Sequence, residues 1–328
     1  MRKLLIFVQH PFALWNAPAW FAERLRLEFP QLDVVHLADY SGVDSEILDT
    51  EIAITWSIRL EQIKAATELR WIHCPAAAVH TLIFPEMVNS QIQITNARDV
   101  HGPVVAEHVM ALIFALAKRI PDAVCLQQKH EWGQEKMWEG RPRVREVAGA
   151  TLGLIGLGSI GRAVAKSAKG LQMRVIAVRE HPEKGSEGTD AVFGAAQIDE
   201  VFRQADYIVL AVPFTGATNA LANAERLALM KRDACLINVG RGQLVDEPAI
   251  VSALRENKIG GAALDVFANE PLGPDSPLWD APGLLITPHT AALTDKIWER
   301  HYKLFSENLR RYLAGAALLG VVDKRKGY

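Results

Sequence analysis

Cysteine is scarce in this chain: three residues, Cys74, Cys125 and Cys235, lie far apart with no CxxC pair. That scarcity argues against a disulfide framework or a zinc site and favours a reducing compartment. Long apolar runs are missing too. The longest, Val109–Ala117, falls well short of the roughly 20 residues that span a bilayer. The amino-terminal run Leu4–Val8 is too short for the core of a signal peptide and meets Gln9, His10 and Pro11. Neither sign of charge is in excess: the formal net charge is -2, which gives no reason to expect nucleic acid or an anionic membrane as a partner. A soluble, cytoplasmic protein without a bound metal is expected.

What is present is ordinary for a globular enzyme-sized chain. Of 328 residues, 49% are hydrophobic and 23% charged, enough for two domains with sizeable cores. Short apolar runs alternate with amphipathic stretches. In the first hundred residues they predict strands at Lys3–Val8, Asp33–His36, Glu51–Thr55, Arg70–Cys74 and Ile92–Thr95. Helices are expected at Pro18–Glu28 and Leu60–Thr67. A second series follows: Thr151–Ile155, Arg174–Val178, Tyr207–Ala211, Ala234–Asn238, Gly261–Leu264 and Leu284–Ile286. Strand–helix alternation of this kind gives parallel, doubly wound sheets. The second series completes a dinucleotide-binding sheet by about residue 287, so a last helix, Ala291–Leu313, is surplus to it and free to pack on the N-terminal sheet. Between the series, Val104–Ala117 is apolar nearly all round except at Glu107 and His108. Such a helix must be covered on every side, between domains or in a subunit interface.

Chemistry gathers in the second series. TLGLIGLGSIG places GxGxxG directly after a strand and opens a helix at Ser159. Gly156 permits the tight turn, Gly158 lets a pyrophosphate approach the backbone, and Gly161 lets helix and strand pack closely. The helix start, Ser159 and Ile160, offers amides to the phosphates. Three later segments place Arg241 (NVGRGQLVDE), Glu270 (LDVFANEPL) and His289 (LLITPHTAAL) just past successive strands. In a doubly wound sheet, ligands bind outside the strands' carboxyl ends. Histidine exchanges a proton near neutral pH, a neighbouring carboxylate favours its charged form and orients it, and arginine grips a carboxylate with two parallel hydrogen bonds. Together they would bind and protonate a 2-keto acid while a nicotinamide delivers hydride.

From GLGSIG through VPFTGATNAL, NVGRGQLVDE, ALDVFANEPL and ITPHTAAL, the chain resembles the D-isomer-specific 2-hydroxyacid dehydrogenase family over nearly its whole length. The resemblance implies a Rossmann cofactor domain and a flavodoxin-like substrate domain with a cleft between them. It puts the cofactor domain at 102–291 and a discontinuous substrate domain at 1–101 and 292–328. It gives Arg241 to the substrate, His289 to acid–base catalysis and Glu270 to pairing with His289. It assigns Val212, Pro213, Thr218, Val239 and Gly240 to the cofactor, and Asp265 to the nicotinamide carboxamide. It also implies a homodimer. In HCPAAAVHTL, where the family usually has a glycine-containing segment ending in Val-Asp, Ala78 replaces a glycine and His80 the aspartate. The amides of Ala77 and Ala78 remain the expected substrate-carboxylate donors. Trp15, Trp56, Trp132 and Trp138 are further candidates to line the cleft.

Eighteen residues after Gly161, where NAD-using members usually have an aspartate, stands Arg179, with Glu180 beside it. Neighbours on a strand point to opposite faces, so Glu180 does not simply substitute. An arginine there suits the 2′-phosphate of NADP, with His181 and Lys184 adding positive charge. The expected activity is therefore a reductase of small 2-keto acids, glyoxylate or hydroxypyruvate, that uses NADPH, with NAD as the second option. The alternatives are an oxidiser of formate or phosphite on the same scaffold, and a nucleotide-binding corepressor.

Overall fold

The computed structural model describes residues 1–327. It divides into two compact units, Met1–His101 with the chain from Thr294 on, and Gly102–Leu293.

In the first unit, β1 (Arg2–Phe7), β2 (Leu32–His36), β3 (Ile52–Thr55), β4 (Trp71–Cys74) and β5 (Gln93–Asn96) form a parallel sheet. Their order, β2-β1-β3-β4-β5, is that of flavodoxin-like sheets. Leu4, Ile6, Ile52, Ile54 and Trp71 point to one face, and Leu5, Phe7, Ala53, Ile72 and Ile94 to the other. Both faces are apolar, so both must be covered. The helix Ile297–Leu313 covers the first, burying Ile297, Trp298, Tyr302, Phe305 and Leu309, and Phe305 stacks on Trp71 at 5.2 Å. The sequence reading started this helix at Ala291. It begins later because the amides of Thr290 and Ala291 are held by the Asp265 carboxylate in the second unit.

Two histidines are buried here, His73 on β4 against this helix and His301 within it. His73 Nδ1 and the Thr95 hydroxyl are 2.9 Å apart, and the Thr95 oxygen accepts from Trp71 Nε1 at the same distance. Burial pushes the His73 pKa down to about 3, and burial, with the neighbouring His101 and His73 rings as lesser causes, holds that of His301 well below its ordinary value. Both rings stay neutral in the fold where the unfolded chain would take up protons. Stability is therefore complete above the unfolded value, about 6.5, and is lost as pH falls from there towards 3. For His73 the loss runs at up to about 1.4 kcal/mol per pH unit in that window. The urea midpoint should drop measurably between pH 7.5 and 5, ahead of carboxylate titration. A flat midpoint across that range would show the rings accessible to protons in the fold.

The second unit carries β6 (Thr151–Ile155), β7 (Arg174–Val178), β8 (Ala191–Phe193), β9 (Tyr207–Leu210), β10 (Cys235–Asn238), β11 (Gly261–Leu264) and β12 (Leu284–Ile286). All pair in parallel in the order β12-β11-β10-β9-β6-β7-β8. The chain reverses direction across the sheet between β6 and β9, the switch point at which such sheets bind nucleotides. Apolar clusters cover both faces. The sequence reading did not foresee the three-residue edge strand β8.

The helix Gly102–Ala117 packs within this unit, against the helix Ser159–Gly170 and against β10 and β11. Its cover is incomplete, since Glu107, Ala111 and Phe114 face outward. Two further helices, Ile120–Gln128 and Gln134–Glu139, bury no residue at all. Around them Ile120, Val124, Trp132 and Trp138 are exposed, Trp132 by 93%. Among the described residues no helix is long and apolar enough to cross a membrane.

Candidate active site

The turn after β6 has the geometry a dinucleotide needs. Gly156 sits at φ 105°, and a Cβ on Gly161 would stand 2.1 Å from the Gly156 carbonyl oxygen, so only glycine lets the helix Ser159–Gly170 start this close to the strand. Gly158 faces open space, and no side chain caps the helix. The first-turn amides, Ser159 and Ile160 among them, are thus left to an outside acceptor, and the helix dipole favours an anion there. These residues fit a pyrophosphate. Gly240 is likewise tight, with a Cβ there reaching 3.0 Å from the Val212 carbonyl oxygen. That brings the Val239–Gly240 and Val212–Pro213 segments side by side. Thr218 serves the turn itself: its hydroxyl accepts from the Thr215 amide at 2.7 Å and donates to the Pro213 carbonyl at 2.9 Å.

Arg241, Glu270 and His289 follow β10, β11 and β12, three neighbouring strands. His289 Nδ1 and Glu270 Oε2 are 2.6 Å apart. The other carboxylate oxygen, Oε1, accepts the Phe267 amide at 2.9 Å, so Glu270 is fixed before it meets the ring. His289 adopts φ 53°, a conformation uncommon for a side-chain-bearing residue and concentrated at functional sites. Its amide donates to the carbonyls of Asp265 at 2.8 Å and Thr287 at 3.0 Å. With Nδ1 committed to Glu270, Nε2 is the nitrogen left to exchange a proton, and the ring is half exposed.

Arg241 is exposed, and its Nη1 donates to the Gly240 carbonyl at 2.6 Å. Its loop is clamped to the one that carries Glu270. A Cβ on Gly242 would lie 1.8 Å from the Phe267 carbonyl carbon, and Gln243 Nε2 donates to the Ala268 carbonyl at 3.2 Å. Arginine and carboxylate are therefore set by one backbone contact.

Asp265 is 1% exposed. Its Oδ1 accepts from Thr287 Oγ1 at 2.6 Å and the Thr290 amide at 2.8 Å, and its Oδ2 from the Ala291 amide at 3.0 Å. His108, on the helix Gly102–Ala117, adds Nε2 at 3.1 Å from Thr287 Oγ1 and 3.5 Å from Asp265 Oδ1. Asp265 thus holds the His289 loop in place and keeps little free acceptor capacity. The sequence reading missed this knot. Its one signal was His108, a polar residue in an otherwise apolar helix.

Arg179 follows β7 with its side chain 15% exposed, donating from Nη1 to the Gly185 carbonyl at 3.0 Å. Glu180 is exposed. His181 pairs with Glu183 at 3.2 Å rather than adding to Arg179.

In the first unit, the loop after β4 turns its carbonyls inward. Those of Ala76, Ala77 and Ala78 accept from the Ala97 amide (2.9 Å), Asn96 Nδ2 (2.7 Å) and the Cys74 thiol (3.7 Å). The amides of Ala77 and Ala78 have no protein acceptor among the described residues. Ala78 does not need positive φ, so alanine replaces glycine there without strain. His80 is exposed at the start of a short 3-10 turn. Trp15 and Trp56 are half-buried. Among the described residues no three His, Cys, Asp or Glu side chains come together as metal ligands.

Fold and site together define a nucleotide-binding α/β protein with a histidine–carboxylate pair at the rim of its nucleotide sheet. The chain belongs to the D-isomer-specific 2-hydroxyacid dehydrogenase family, whose NAD binding domain matches residues 110–291. It is 33% identical over 281 residues to the D-3-phosphoglycerate dehydrogenase of Methanocaldococcus jannaschii, covering 85% of this chain and 52% of that protein. The chain thus spans about half the length of that relative. It is 33% identical over 262 residues to the glycerate dehydrogenase of Methylorubrum extorquens, covering 79% of this chain and 80% of that one. The solved NADPH-dependent glyoxylate/hydroxypyruvate reductase of Sinorhizobium meliloti, in complex with NADP and sulfate, superposes with a TM-score of 0.81 at 26% identity over 100% of both chains.

Proposed function

We propose that this chain reduces a small 2-keto acid, glyoxylate or hydroxypyruvate, to the D-2-hydroxy acid with NADPH. The observation that carries the reading is the 2.6 Å pair between His289 Nδ1 and Glu270, set beside Arg241 on adjoining strand ends. When bound, the reduced nicotinamide supplies the hydride. The remaining work falls to the chain. Arg241 takes the substrate carboxylate in a two-bond grip. His289 gives its Nε2 proton to the carbonyl oxygen, and Glu270 holds the ring in orientation through Nδ1. Relatives that carry the names glycerate dehydrogenase and glyoxylate reductase support the substrate class.

Arg179 is the ligand we assign to the 2′-phosphate. One charge-assisted hydrogen bond contributes roughly 1.5–3 kcal/mol, so NADPH should be preferred over NADH by about 10- to 150-fold. Incubation with hydroxypyruvate and NADPH, followed by chiral chromatography, should yield D-glycerate. The L-isomer, or no glycerate, would refute the reading.

The same proposal includes a homodimer. Phe114, Ile120, Val124, Trp132 and Trp138 expose apolar surface on and beyond the helix Gly102–Ala117, and a second copy would cover it. Light scattering should give twice the 36.2 kDa chain mass. A monomer at micromolar concentration would contradict this.

A further inference from the structure

We infer that Glu187 sets the strength of the NADPH preference by holding, in the cofactor-free protein, the place beside Arg179 that the 2′-phosphate takes. This rests on the reading of Arg179 as the phosphate ligand. The loop from β7 to β8 carries four acids, Glu180, Glu183, Glu187 and Asp190, the last of which pairs with Lys169. Only Glu187 faces the guanidinium, with Oε1 3.9 Å from Arg179 Nη1, while Glu183 faces His181. The backbone folds tightly to bring it there: Gly185, Glu187 and Gly188 have φ of 100°, 49° and 82°. Thr189 closes the turn, its amide donating to the Ser186 carbonyl at 2.9 Å and its hydroxyl at 2.7 Å. A left-handed position is more easily filled by glycine or asparagine. Here it carries a carboxylate directed at Arg179, whose side chain is 15% exposed.

The consequence is a matter of charge. A 2′-phosphate brings nearly two negative charges to Arg179 and must push the Glu187 carboxylate aside or remain next to it, and like charges so placed repel. A ribose with a free 2′-hydroxyl brings no charge and can donate to the carboxylate. Glu187 therefore weakens the binding of NADPH and leaves NADH unharmed. Because the Glu187 side chain is 38% exposed, the pair is screened and separable rather than locked.

The test is calorimetric binding of NADPH, NADH, adenosine 2′,5′-bisphosphate and AMP to the full chain. Glu187→Gln should tighten NADPH and the bisphosphate by about three- to tenfold while NADH and AMP stay within about twofold. Glu183→Gln makes the same charge change in the same loop and should alter neither ratio. Unchanged or weaker NADPH binding in Glu187→Gln, or an equal gain in Glu183→Gln, overturns the inference. Arg179→Met separates the two readings. If it leaves NADPH binding intact, the assignment of Arg179 fails. If it weakens NADPH while Glu187→Gln has no effect, only the role of Glu187 fails.

Discussion

Replacing His289 with glutamine should lower kcat for keto-acid reduction by roughly 10²- to 10⁴-fold, the usual scale for loss of a general acid. Glutamine can still donate a hydrogen bond to Glu270 but has no proton to give at neutral pH. The fold should tolerate the change, because the ring is half exposed and its loop is held by backbone and Asp265 contacts. Dinucleotide affinity should stay near wild type. Reduction by the wild-type enzyme uses the charged ring and should slow as pH rises. Oxidation of the hydroxy acid uses the neutral ring and should slow as pH falls. Near-normal turnover by His289→Gln would remove His289 from the acid–base role.

Arg241→Lys should raise KM for the keto acid strongly, by about 10- to 150-fold, the worth of one charge-assisted hydrogen bond. Lysine keeps the charge but loses the planar fork that matches a carboxylate. The backbone at Arg241 is extended, at φ -143° and ψ 147°, and the side chain is exposed, so the substitution imposes no strain. The adjoining Gly242, packed on Phe267, continues to position the loop. Binding of NADPH without substrate should therefore change little. Equal losses of substrate and cofactor affinity would show that Arg241 supports the loop instead of gripping the substrate.

Local chemistry made much of this site legible from sequence. The turn after β6 must carry glycine where a Cβ would strike the Gly156 carbonyl, so its pattern is visible in the letters. Arg241, Glu270 and His289 could be placed on one rim because each closely follows an apolar strand, and parallel strands put their carboxyl ends together. What escaped depends on contacts between distant segments. Asp265 is gripped by residues more than twenty positions away, and nothing local marks Thr287, Thr290 and Ala291 as its donors. β8 has only three residues after a turn-rich loop, too few for periodicity to register. The helices Ile120–Gln128 and Gln134–Glu139 bury nothing in this chain, so they lack the one-sided apolar face by which helices are recognised. Glu187 lies eight residues past Arg179, and only the left-handed turn between them brings the two together.

The central claim is that the rim of Arg241, Glu270 and His289 reduces 2-keto acids with a phosphate-bearing cofactor. Its most direct test is kcat/KM for glyoxylate, hydroxypyruvate and pyruvate with NADPH and with NADH, with formate and phosphite assayed in the oxidative direction. Turnover of at least one keto acid, faster with NADPH, and no oxidation of formate or phosphite is the expected result. A protein that binds the dinucleotide but reduces none of the keto acids would contradict it and point to a regulatory role on the same fold.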